Sequence, residues 1–276
     1  MYKLTQSKLL ITLLTVGFLF ACFTGCGEDT DGDGNGEALT LPPDDSMTIN
    51  LSTFGGDSLG APIPALPATR LNFAAAAATA SVINTIVVAK LTAPVAVFTA
   101  AKNTTPVKQD DGSWLWSYSR TIGAETFTAK LTAKREDDKV IWSMKVSSDT
   151  KLRQLDNFEW YTGMTSRDNG SGSWHFFNRD TPDQANLIYA IDWKVEREVK
   201  RERTFTNKEA GSPHFGNVVR YSVEGERASI NFTEAKGTTT TIEWNVKTTA
   251  GSITAPSYKE GEKSCWDENK QDVACE

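Results

Sequence analysis

The chain is 276 residues long, 39% hydrophobic and 23% charged, with 35 acidic side chains against 29 basic ones and a formal net charge of −6. Its length allows one core built from ~210 residues, and its acidic balance argues against nucleic acid as a partner. Two histidines and four cysteines leave little material for imidazole or thiol chemistry.

At the N-terminus, Lys3 and Lys8 precede an apolar run from Leu9 to Phe20, and the segment closes on Phe23-Thr24-Gly25-Cys26. A positive head, a short greasy centre and small residues before a cysteine describe an export signal. The run is interrupted and shorter than the ~20 residues of a membrane span. Its ending resembles the lipobox of bacterial lipoproteins, with Phe23 where that family most often has Leu. The resemblance implies removal of residues 1–25 as a signal peptide, lipid attachment at Cys26 and a membrane anchor in the bacterial cell envelope. Cys22 is the rival attachment point, but bulky Phe20 stands two positions before it. Gly27 in place of Asp after the cysteine is similar to lipoproteins sorted to the outer membrane, on its periplasmic or surface side. Losing Lys3 and Lys8 takes the formal charge to −8.

From Cys26 to about residue 64 the chain is acidic and rich in Gly and Pro, which gives too little burial to offset ordering and reads as a flexible tether. Asp29, Asp31 and Asp33 with Gly34 match the opening of a calcium loop, but the twelfth position is Thr40 where that loop needs glutamate. Met47 to Leu51 could lend a strand to the domain that occupies residues 65–276. Its first element is helical: alanines 74–78 favour a helix, and Val82, Ile83, Ile86, Val87 and Leu91 make one apolar stripe. Pro94 is expected to stop it.

Beyond Ser113 the period changes to two. Trp114, Trp116 and Tyr118 alternate with serines; Phe127, Ala129, Leu131 and Ala133 alternate with Thr and Lys; Val140, Trp142, Met144 and Val146 do the same. Further strands are expected around Trp160, around Trp174, along one long run from Leu187 to Lys200, and at 216–223, 227–233 and 239–247. Asn169-Gly170 and Glu224-Gly225-Glu226 supply tight turns. Eight or nine sequential strands make an antiparallel meander in a mainly β fold. With twisted strands and edges to protect, the expectation is a sheet curled into a barrel or half-barrel, with the helical segment packed on or in it. Such a shape loosely resembles lipocalin-like proteins and periplasmic carriers of lipoproteins, at the level of fold alone.

With Cys22 and Cys26 assigned to the signal and the lipid, Cys265 and Cys275 remain as a pair suited to a disulfide in an oxidising compartment. His175 and His214 lie in no metal or nucleophile pattern, and no phosphate loop, dinucleotide fingerprint or serine elbow occurs. No cofactor or metal is called for, and enzymatic activity is left unassigned. Trp114, Trp116, Trp142, Trp160, Trp193 and Trp244 could line an apolar pocket or stack on sugars. The leading expectation is therefore a non-catalytic, lipid-anchored protein that holds an apolar or amphiphilic small molecule, such as a lipid, in a curved sheet. Two alternatives stand beside it: a structural or interaction lipoprotein without a pocket, meeting an envelope protein or a glycan, and a glycan-active hydrolase.

Overall fold

A computed structural model of the chain describes residues 38–55, 68–150, 153–196 and 199–275. The export signal, Cys26 and the acidic triplet Asp29, Asp31 and Asp33 lie outside the described residues.

The alternating segments become strands of one antiparallel sheet. In chain order they are β1 (Val107–Lys108), β2 (Trp114–Ile122), β3 (Glu125–Glu136), β4 (Lys139–Thr150), β5 (Arg153–Ser166), β6 (Ser171–Phe177) and β7 (Leu187–Glu196). They continue with β8 (Lys200–Asn207), β9 (Val218–Glu224), β10 (Arg227–Thr233), β11 (Thr239–Asn245), β12 (Gly251–Thr254), β13 (Ser264–Trp266) and β14 (Asp272–Val273). Each pairs with its sequence neighbours, so spatial order equals chain order. The turns carry the expected chemistry: Asp137, Asn169 and Gly225 all have positive φ, at 51°, 53° and 56°.

Among the described residues fourteen strands replace the expected eight or nine. The run from Leu187 to Lys200 is two strands, because Glu196 pairs directly with Lys200 and the backbone N–H of Val199 returns to the Glu196 carbonyl. Its charges therefore form a cross-strand ladder that stabilises a hairpin rather than a single extended rod. The two- to four-residue strands β1, β12, β13 and β14 are too short to show a period.

The sheet is open, and the expected barrel or half-barrel does not form. β1 and β14 are separate edges, and both are only two residues long, which blunts them against pairing with other chains. Edges of two residues offer too little ladder for the strands to close on one another. α1 (Leu71–Ile83) and α2 (Ala89–Ala100) are joined by a π turn at Asn84–Val88 into one rod, Ala68–Asn103, laid across the strands. Phe73 meets Trp266 of β13, and Phe98 meets Trp174 of β6. Near its C-terminal end the same rod also meets β2, where the Tyr118 hydroxyl donates to the Val97 carbonyl at 2.7 Å.

One stripe of the helix faces the sheet: Phe73, Ala76, Ala80, Ile83, Val87, Leu91, Phe98 and Ala101 are all buried. This spacing of three and four carries a core-facing stripe. The rod is also long and apolar enough, by composition alone, to cross a bilayer. Pro94 does not end it. Pro94 is buried inside α2, and packing of that stripe offsets the cost of ~3 kcal/mol or more of an interior proline.

Residues 38–55 lie beside the helix on the same side of the sheet. Met47–Leu51 forms no strand; a short 3-10 turn at Asp44–Met47 leads into an extended stretch whose Met47, Ile49 and Leu51 are buried. The strap crosses the strands in order. Thr40 accepts from Asn169 at the β5–β6 turn, Ser46 from the Trp174 indole, and Phe54 packs on Trp244 of β11. Asp45 pairs with Arg201 and Arg203 of β8, the latter buried. The strap and the returning helix thus share one face, and Arg179 of the β6–β7 loop lies over Phe127 and Trp160 at its far end.

Candidate functional site

The covered face holds the aromatic side chains in which a ligand site was expected. Trp116, Trp142, Trp160, Trp193 and Trp244 are each at most 4% exposed, and Trp114 is half-buried. Their rings pack on neighbouring rings: Trp116 lies 5.9 Å from Trp142, Trp160 5.0 Å from Phe127, and Trp244 6.3 Å from Tyr221. A register shift beside Met144 turns both Trp160 and Tyr161 inward, as a β-bulge does. The Trp142 indole donates to Thr165 Oγ1 at 3.1 Å. Burial pushes the Tyr161 hydroxyl well above its ordinary value, and that of Tyr189 up to about 12.

These rings are packing, not a binding surface, and the expectation of a small molecule held in a curved sheet is overturned. An open sheet encloses no interior, and the space over its aromatic face is filled by the helix and strap. An apolar groove of about 300 Å³ lies between Met47, Ile49, Val87 and Leu91, lined by none of the six tryptophans. Sequence periodicity identified the inward rows correctly; it could not show that residues 38–55 would occupy the space above them.

The opposite face carries neither helix nor strap among the described residues. Its rows are read directly from the ladder. One runs Thr132, Ser143, Thr162, His175, Ala190 and Thr206 across β3 to β8. Another runs Glu202, Ser222, Ser229, Glu243, Ser252 and Cys265 across β8 to β13. Hydroxyls bond to neighbours across strands, Ser222 to Ser229 at 2.8 Å and Thr241 to Asn231 at 2.8 Å. Charges are largely paired: Lys194 with Glu196 at 2.6 Å, Lys200 with Glu202 at 2.7 Å, and Lys263 with Glu243 at 3.7 Å. The hydrogen bond from Lys194, reinforced by its charge, holds the Glu196 carboxyl below its ordinary range.

Two shallow depressions of about 310 Å³ each break this surface. One is bordered by Glu202, Thr204, Arg220 and Asn231, the other by Arg227, Glu243, Asn245 and Lys263. Sequence reading singled out none of these residues as a site, because outward polar positions of a strand look alike until the ladder aligns them. No protein-family model and no curated protein matches the chain. The site therefore rests on its own geometry.

Among the described residues no group of three or more His, Cys, Asp or Glu could hold a metal ion. His175 stands exposed at the centre of its row, and His214 lies in the β8–β9 loop. Cys265 and Cys275 form the expected disulfide, with Cα atoms 5.3 Å apart. Both carboxylates at the depressions, Glu202 and Glu243, are ion-paired and partly exposed.

Proposed function

We propose that the protein is a lipid-anchored envelope protein with a non-catalytic interaction role. Cys26 carries the anchor, and the uncovered sheet face meets a protein or glycan partner. One observation supports this reading: the two faces divide the work. The buried tryptophans are spent on packing within the covered face, and the other face is a broad array of hydroxyls and charges. A sheet with one covered face is already stable, so its second, solvated face is free to meet a partner.

The anchor adds to this reading. A lipid at Cys26 would hold the sheet near an outer-membrane surface, where a partner in the envelope is within reach. The test is photo-cross-linking in the native host, with a photoreactive side chain at Thr206 on the uncovered face or at Thr85 on the exposed side of the helix. Specific adducts from Thr206 and none from Thr85 are expected; adducts from Thr85 alone would overturn the reading.

A further inference from the structure

We propose that the trough over β8 to β12 binds an acidic glycan, a polyhydroxylated chain bearing carboxylates, with Arg220 and Arg227 as its anion contacts. This rests on the reading of the uncovered face as the working surface and names its ligand class.

The two depressions lie on one face and adjoin along one row of the ladder. Ser222 pairs with Ser229, Ser229 with Glu243, and Glu243 with Ser252, so the row leads from the serine pair at one depression directly to Glu243 at the border of the other. Arg220 precedes Ser222 by two residues on β9, and Arg227 precedes Ser229 by two on β10. Because those strands are antiparallel, the two arginines flank the serine pair from opposite sides, their Cα atoms ~14 Å apart by strand geometry. Both are exposed. Among the described residues neither guanidinium has an ion-pair partner, whereas the trough's lysines Lys200 and Lys263 are paired with Glu202 and Glu243. Glu224, the cross-strand neighbour of Arg227, is the remaining acidic group beside it.

The chemistry selects a glycan over a peptide. Strands β8 to β11 bond on both sides within the sheet, so an extended peptide laid across them would find no free main-chain partners for its own amides. A sugar chain carries donors and acceptors on every residue, which suit serine, threonine, asparagine and guanidinium groups. Carboxylates give the arginines bidentate partners. The described outward row has no aromatic ring for stacking, so affinity comes from charge and hydrogen bonds and falls with salt.

The test is affinity electrophoresis of the full chain in mild detergent, through gels containing polygalacturonate or neutral dextran. Retardation by polygalacturonate, relieved by added salt and absent with dextran, is expected. Replacing both arginines, Arg220→Gln with Arg227→Gln, weakens it at least about tenfold, while Arg120→Gln on β2 leaves it intact. No retardation of the wild type, equal retardation by dextran, or retention in the double variant would overturn the inference. Thr206 adducts with a protein in cells, alongside absent polygalacturonate binding, would sink the glycan and leave the interaction face standing.

Discussion

Asp272 accepts the backbone N–H of Asn72 at 2.9 Å, joining residues two hundred positions apart. The other carboxylate oxygen takes the N–H of Leu71 at 3.2 Å. Arg70, in the N-cap position, offers no side-chain cap of its own. The first turn of the long helix is therefore satisfied by the far end of the chain, and the Asn72 amide returns a bond to the Cys265 carbonyl at 2.6 Å. Asp272 sits within the loop closed by Cys265 and Cys275, so the disulfide holds the cap in place.

Replacing that carboxylate, Asp272→Ala, is expected to cost ~1 kcal/mol, the usual worth of a helix cap next to the positive end of the helix dipole. Removing the disulfide with Cys265→Ser and Cys275→Ser is expected to cost ~2.5 kcal/mol for a loop of this size. The two act through one contact, so the triple variant should lose less than the sum. Urea unfolding of the three variants checks this, and strict additivity would show the cap and the disulfide to be independent.

Gly163 on β5 lies opposite both Trp142 and Trp174, and a methyl group there would run into the six-membered ring of the Trp174 indole. Gly163→Ala is expected to destabilise by ~3 kcal/mol, since a fully buried ring has nowhere to move. Combining it with Trp174→Leu should recover part of the loss. Denaturation of the single and double variants measures the coupling.

These elements mark how far the sequence could be read. Strands β2 to β4, the hairpin turns and the disulfide pair follow from local pattern, because period two, turn residues and cysteine arithmetic are local signals. The openness of the sheet was not legible, since β1 and β14 are too short to show a period and only the ladder reveals them as the two edges. Nor was the covering role of the strap, whose Asp45 reads as a tether residue until Arg203 is seen beneath it. Arg220 and Arg227 were invisible as a pair for the same reason: strand register, not sequence spacing, puts them around Ser222 and Ser229.

Four tyrosines should make the fold sensitive to high pH. Burial raises the hydroxyls of Tyr118, Tyr161, Tyr189 and Tyr221 above their ordinary value of 10.0, that of Tyr189 to about 12. A raised folded value means that the unfolded chain ionises first. Stability is full below pH 10 and falls as pH rises through the folded values, by ~1.4 kcal/mol per pH unit for each tyrosine that stays protonated in the fold. Unfolding free energies at pH 9, 10 and 11 should decline; a flat profile would contradict the burial of these rings.

Anchoring is tested at its own residue. Cys26→Ser is expected to move the protein from the membrane to the soluble fraction in its native host and to abolish incorporation of labelled fatty acid. Continued labelling of that variant would assign the lipid elsewhere, with Cys22 the first alternative.

The central claim is that neighbouring residues of one strand face a sealed side and an open side. Ala228 is fully buried under the covering layer, and Ser229 looks out over the trough. The most direct measurement is the rate of thiol labelling of Ala228→Cys and Ser229→Cys in the folded protein. Position 229 should react readily and position 228 only on unfolding; equal rates, or the reverse order, would contradict the account.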